Sequence, residues 1–124
     1  MEGKSTGEYM EGHTSWIRRE AVGVVGQITP WNYPMMMAVW KSGPALAAGN
    51  PIIIKPSSAT PLTALKLAEI YEQAGLPPGG LQVLPSASRV TETYVADERL
   101  KAVSFTGSAA VGWRLKGLAG HKKV

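Results

Sequence analysis

An apolar run, Val22 to Ile28, is stopped by Thr29-Pro30-Trp31-Asn32-Tyr33, and the chain restarts at Pro34. Proline cannot donate to a strand ladder, yet it is favoured at the first position of a helix. The segment therefore reads as strand, short loop, helix. Its loop falls at the carboxyl end of the strand, where open α/β sheets hold their ligands. There Trp31 offers an indole N–H and Asn32 an uncharged amide, both suited to polarising a carbonyl or meeting a nucleotide. Asn32 also suits a simple turn, because Asn is a favoured turn and cap residue. Both uses are open at this level.

The same alternation continues downstream. A strand over Ala21 to Ile28 precedes a helix over Met35 to Ala48, kinked at Pro44 and stopped by Gly49-Asn50. Ile52 to Lys55 is a second strand, apolar throughout as expected when both faces are covered. Thr60-Pro61 opens a helix that carries Leu62, Leu65, Leu67, Ala68, Ile70 and Tyr71 and ends at Gly75 and Pro77-Pro78. Leu81 to Leu84 reads as a third strand, Arg89 to Ala96 as a helix, Ala102 to Thr106 as a fourth strand and Ser108 to Leu118 as a last helix. Strands alternating with helices imply an α/β fold, a mainly parallel sheet with helices on both faces. Residues 1–20 stand apart as a polar lead-in, with a short helix tail around Gly7 to Met10 and an extended piece from Thr14 to Arg19. The sequence stops at Val124, where the alternation calls for another strand. The sheet of residues 21–124 is thus expected to be incomplete at its C-terminal edge, an unpaired edge suited to pairing with another chain.

Composition narrows the chemistry. The 124 residues contain no cysteine, which excludes a disulfide framework, a thiolate metal site and a thiol nucleophile within them. Only His13 and His121 supply imidazoles, from opposite ends, so no metal site is expected. The net charge of +4 is spread over Arg18, Arg19, Lys55, Arg89, Lys101, Arg114 and Lys116 without a basic helix or aromatic stacking motif, which argues against nucleic acid. Met35 to Ala48 is interrupted by Lys41 and Pro44 and is too short to cross a bilayer. No apolar leader segment opens the sequence, so cytoplasm is the expected location.

Three strand ends carry polar groups. The first is Trp31-Asn32, the second Lys55-Pro56-Ser57-Ser58, and the third Phe105-Thr106-Gly107-Ser108 with Gly112 a turn later. At the third, Gly107 allows a close backbone approach, and the helix from Ser108 presents free N–H groups and its positive dipole end to a phosphate. Singly, Lys55 reads as well as a solvated strand end and Ser108 as an ordinary N-cap. Together, on one edge of one sheet, they point to a nucleotide site. Neither common phosphate motif is present. No Gly-x-Gly-x-x-Gly occurs, and Gly107 to Gly112 is followed by Trp113-Arg114 where a P-loop needs Lys-Ser/Thr.

The segments Gly23 to Pro34, Ala45 to Asn50, Ile54 to Ser57, Gly75 to Gly79 and Ser104 to Ser108 resemble the NAD(P)-dependent aldehyde dehydrogenase superfamily, in its order and spacing. That resemblance implies a Rossmann-like domain, of which this chain holds most, with residues 1–20 similar to the lead-in to an oligomerisation arm. It also implies an oligomer. Asn32 would then lend its amide to an oxyanion hole. Ile28, Thr29, Pro30 and Trp31 would line the cofactor cleft, and Lys55 would bond the adenosine ribose beside Ser57 and Ser58. Gly107 and Ser108 would hold the pyrophosphate, with Val111 near the adenine. The implied cofactor is NAD or NADP, and the implied substrate of the complete enzyme is an aldehyde.

Departures from the family pattern carry information too. Many NAD-preferring members have an acidic residue where Ser58 stands. Serine removes its repulsion of a 2′-phosphate, so NADP should be tolerated. Pro85-Ser86-Ala87-Ser88 replaces the glycines usual near the third strand. The stretch around Tyr9 to Thr14 is similar to aminoaldehyde-type members, whereas the chain from Leu84 onward looks like another subfamily. The family's thiolate nucleophile and general-base glutamate have no counterpart here, so the chain is expected to be inactive alone. Two other readings stand beside an NAD(P)-binding segment: a structural or chimeric piece without useful cofactor affinity, and a half-enzyme completed by a separate chain.

Overall fold

A computed structural model describes residues 6–124. The first five residues of the lead-in lie outside it. Strands β1 (Thr6–Met10) and β2 (His13–Trp16) form an antiparallel hairpin, followed by β3 (Val25–Ile28), α1 (Pro34–Ala47), β4 (Ile52–Lys55), α2 (Pro61–Gln73), β5 (Leu81–Val83), a 3₁₀ turn (Ser88–Val90) leading into α3 (Thr91–Ala96), β6 (Ala102–Phe105) and α4 (Ala109–Leu118). The expected α/β architecture is present: a four-stranded parallel sheet in the order β5-β4-β3-β6 with helices on both faces.

Side chains of β3 alternate between the two faces. Val25 joins Ala38, Ile52, Ile54, Ala64 and Leu67 in a core under α1 and α2. Ile28 joins Tyr94, Val95, Leu100, Val103, Leu115 and Ala119 in a second core under α3 and α4. The chain adds β4 and β5 on one side of β3, then returns to place β6 on the other. Right-handed crossovers put the helices on opposite faces when the direction of addition reverses. That reversal makes the gap between β3 and β6 the topological switch point, where such sheets bind ligands.

Local chemistry sets the element ends. Pro34 opens α1 and Pro61 opens α2. Each ends in a left-handed glycine: Gly49 (φ 79°) donates to Leu46 O while Asn50 donates to Ala45 O, and Gly75 (φ 89°) with Leu76 repeats the pattern on Glu72 and Tyr71. Only glycine adopts this conformation without a Cβ penalty. Helix α1 runs through Pro44 as a single helix.

At the N-terminal end the structure differs from the sequence reading in three places. Gly7 to Met10, expected as a helix tail, is β-strand paired with β2, with register Glu8↔Thr14 and Met10↔His13 across a Glu11-Gly12 turn. Gly12 at φ 74° supplies the positive dihedral such a turn requires. The extended piece ends at Trp16 rather than Arg19. The first buried strand starts at Val25, not Ala21. Upstream of it, Val22 N–H and Gly23 N–H both donate to Asn50 Oδ1, at 2.7 and 3.3 Å, and Gly23 turns at φ 113°. Asn50 thus ties the entry of β3 to the exit of α1.

Outside β6, Val103 N–H donates to Lys123 O at 2.8 Å, and Lys123 bridges Ala102 in parallel. This single bridge lies beside a groove of about 530 Å³ bounded by Phe105, Trp113, Lys116 and Val124. That groove runs along the sheet edge and reaches the third strand end, where Thr106, Gly107 and Ser108 border it.

Candidate dinucleotide cleft

Strand register brings the three polar strand ends to one level. Ile28 pairs with Lys55 on one side and with Phe105 on the other. The ladder extends one step further, Thr29 N–H donating to Lys55 O and Thr106 N–H to Ile28 O, both at 3.2 Å. The loops after β3, β4 and β6 therefore leave the sheet side by side. Between them lies a cleft of about 350 Å³, within the size range of small-molecule sites.

Of the residues expected at a cofactor site, Ile28, Thr29, Pro30 and Trp31 line the cleft from β3, Lys55 and Ser57 from β4, and Gly107, Ser108 and Val111 from β6 and α4. Asn32 and Ser58 do not line it. Asn32 is exposed on the loop after Trp31, and Ser58 is exposed with its Oγ donating to Ser86 O at 3.2 Å. The loop that carries Asn32 is strained: Tyr33, at φ 51°, is the only non-glycine residue with positive φ in the described chain. Such conformations cost about 1–3 kcal/mol and concentrate at functional loops.

Sequence reasoning missed Ser88, Thr91 and Arg114 at the site, and it named Pro56, Phe105 and Thr106 only as parts of the polar strand ends; all six also line the cleft. Arg114 was detectable, since it follows the expected Val111 by three residues and so shares its helix face. Ser88 and Thr91 were not, because only the tertiary fold brings α3 over the ends of β3 and β4.

The electrostatics favour an anion. Lys55 and Arg114 are the charged residues of the lining, and no carboxylate lines it. Lys55 is only 4% exposed, and burial lowers its pKa below the ordinary 10.5 with no opposing charge to hold it up. Arg114 Nε meets Glu92 Oε1 at 3.1 Å on the partly exposed rim. Ser108 caps α4, its Oγ accepting Val111 N–H at 3.4 Å. Ala109 and Ala110, the first two helical residues, keep N–H groups without intrahelical partners. A buried cation, a hydroxyl and a helix N-terminus converge, the donor set that fits a phosphate ester.

Gly107 has a reason beyond ligand approach. A Cβ there would lie 2.5 Å from Phe105 Cζ, so the phenyl ring folds back across the glycine. On the opposite face, Gln27 Nε2 donates to Lys41 O at 2.8 Å and Lys41 Nζ donates to Ser104 Oγ at 2.7 Å, with Lys41 lowered in pKa by burial. Among the described residues, no three His, Cys, Asp or Glu side chains gather as a metal site requires, and no helix is long and apolar enough to cross a membrane.

Residues 1–124 match the aldehyde dehydrogenase family along their whole length. The fold is similar to that of PnpE in complex with nicotinamide adenine dinucleotide, at 38% identity over 96% of this chain and a TM-score of 0.87. It is similar to succinate-semialdehyde dehydrogenase from Burkholderia pseudomallei, at 42% identity over 84% of this chain and a TM-score of 0.80. It is also similar to a betaine aldehyde dehydrogenase point mutant from Staphylococcus aureus in complex with NAD⁺, at 39% identity over 84% and a TM-score of 0.80. The chain covers 25%, 22% and 22% of those three structures respectively.

Proposed function

This chain belongs to the aldehyde dehydrogenase family, and from that premise we propose that its cleft is a nicotinamide dinucleotide site. The observation that carries the reading is the register Lys55–Ile28–Phe105, which assembles a cleft with cationic and no anionic lining at the switch point of the sheet. The residues fit the ligand. Lys55 donates to ribose hydroxyls, and the N–H groups at the start of α4 with Ser108 meet the pyrophosphate. Thr29, Pro30 and Trp31 shape the nicotinamide end, and Val111 packs at the adenine end. Ser58 in place of a carboxylate leaves room for NADP beside NAD. When bound, the dinucleotide supplies a hydride acceptor for the oxidation of an aldehyde to a carboxylate.

Asn32 is assigned to the oxyanion, its side-chain amide donating as negative charge develops on the substrate oxygen. The thiolate that the parent reaction uses is not among these residues, which lack cysteine, and Glu69, Glu72 and Glu92 are exposed on helices. Residues 1–124 alone are therefore read as binding cofactor without turnover, in a soluble, cytoplasmic setting. The hairpin of residues 6–16 is read as the oligomerisation lead-in of residues 1–20, beside a cofactor domain of residues 21–124.

Titration with NAD and NADP, followed by calorimetry or the emission of the four tryptophans, tests this. Saturable binding that Lys55→Met weakens is the expected result; no saturation by either dinucleotide at millimolar concentration overturns it. The second reading, a structural segment that assembles without cofactor, is favoured by one observation, the groove beside β6 where, among the described residues, only Lys123 pairs.

A further inference from the structure

Tyr94 is an apolar-face residue of α3 by its spacing, yet its hydroxyl reaches the middle of the sheet. It is 7% exposed, it accepts Gln27 N–H at 3.0 Å and it donates to Ile53 O at 2.6 Å. In the parallel register Gly26 lies opposite Ile53 and Gln27 opposite Ile54. The Gln27 N–H and the Ile53 carbonyl are therefore the two groups that face each other across the β3–β4 ladder. A side-chain hydroxyl bonds both of them.

Only a glycine at position 26 permits this approach. A Cβ there would stand 2.8 Å from the Tyr94 hydroxyl and 2.7 Å from Leu100 Cδ1. Burial raises the phenol's pKa far above its usual 10, which keeps the O–H protonated and able to donate.

This point in the ladder lies directly before the cleft. One and two residues after Gln27, Ile28 and Thr29 form the cleft floor, and two residues after Ile53 comes Lys55. On α3 itself, Thr91 lies one turn before Tyr94 and lines the cleft wall, while Glu92 holds Arg114, another lining residue. One side chain thus joins the floor to the wall. We propose that Tyr94 is a positioning residue for the cleft: its hydroxyl sets the spacing of β3 and β4 where they hand over to Thr29 and Lys55, and seats α3 so that Thr91 faces the same space. This rests on the reading of the cleft as a dinucleotide site.

The test compares Tyr94→Phe with Val95→Ala in the 124-residue chain. Val95 is fully buried in the same helix and the same core, and its side chain has no polar group to bond the ladder. In the ligand-free protein, the Gln27, Thr29 and Lys55 amide resonances should shift, and Gln27 should exchange its hydrogen faster, in Tyr94→Phe but not in Val95→Ala. With NAD, Kd should rise about ten-fold in Tyr94→Phe, the scale of one lost buried hydrogen bond, and stay within about two-fold in Val95→Ala even where Val95→Ala loses more thermal stability. Gly26→Ala, which displaces the hydroxyl without removing it, should reproduce the Tyr94→Phe pattern and decides the matter alone if Tyr94→Phe does not fold. Unchanged amides and unchanged Kd in Tyr94→Phe, or effects in both variants that merely follow stability, overturn the proposal. If the unaltered chain binds no NAD, the dinucleotide reading fails, and the ligand-free amide comparison still decides whether Tyr94 positions the strand ends.

Discussion

Helices α1 and α2 run 14 and 13 residues across one face of the sheet, whereas on the other face α4 runs ten and α3 only six. Under the long helices, Ile52 and Ile54 are fully buried and the layer is closed over β4. The groove of about 440 Å³ on that face lies off to the side, along α1 past Gln27, Lys41 and Ser104. Under the short one, the sheet is open on both sides of Tyr94. Towards the strand carboxyl ends lies the cleft, and below it a groove of about 400 Å³ runs past Ile53, Val83, Leu84 and Val90. The difference teaches where this fold keeps stability and where it keeps chemistry. A full-length helix in place of α3 would occupy the space that the cleft needs.

That division can be broken most directly on the closed face. Ile52→Ala should cost about 2–5 kcal/mol, a large part of what a small domain has, and shift or abolish the urea transition followed by circular dichroism. A loss below about 1 kcal/mol would mean that the closed face is not the seat of stability.

The open face should answer in the opposite sense. Lys55→Met removes a poorly solvated ammonium, so thermal stability should hold or rise. NAD binding should weaken by roughly ten-fold or more, as expected for a hydrogen bond to a charged group worth about 1.5–3 kcal/mol. A loss of both together would place Lys55 with the structural residues instead.

Alkaline titration sharpens the same contrast. Lys55 has a folded pKa below the ordinary 10.5. Its contribution to stability is therefore lost as pH falls through that lowered value, where a charge must be buried, and regained as pH rises towards 10.5. Binding of an anionic ligand runs the other way, because it needs the ammonium. Kd should rise with pH from a midpoint below 10.5, and Lys55→Met should flatten that rise. Lys41, lowered by burial on the closed face, should keep part of the stability gain in the variant.

Two smaller effects complete the series. Ser58→Glu should weaken NADP several-fold, on the order of 1 kcal/mol of repulsion, with NAD little changed in calorimetry. Glu92→Gln breaks an exposed pair and should alter stability by no more than about 0.5 kcal/mol in chemical denaturation.

Much of this architecture was legible residue by residue. The apolar strands, Pro34 and Pro61 at helix starts, and Gly49 and Gly75 at helix ends act through neighbours in the chain, and their places come from local chemistry. The hairpin was not legible at Gly7 to Met10, because a short polar segment becomes a strand only by pairing with His13 to Trp16. The cleft was legible in its loops, Thr29 to Trp31, Lys55 to Ser57 and Gly107 to Ser108. It was not legible in Ser88 or Thr91, which meet those loops only once α3 has packed, and Arg114 was legible only through its place on the helix face of Val111.

By itself the sequence determined the alternation of elements, the parallel sheet that alternation demands, and the chemical character of each strand end, since all three arise from dihedral preferences and side-chain chemistry within a few residues. Tertiary structure alone decided the strand order β5-β4-β3-β6, the common level of Lys55, Ile28 and Phe105, and the entry of the Tyr94 hydroxyl above Gly26. Those depend on contacts between residues tens of positions apart, whose geometry exists only after the two cores have closed on the sheet.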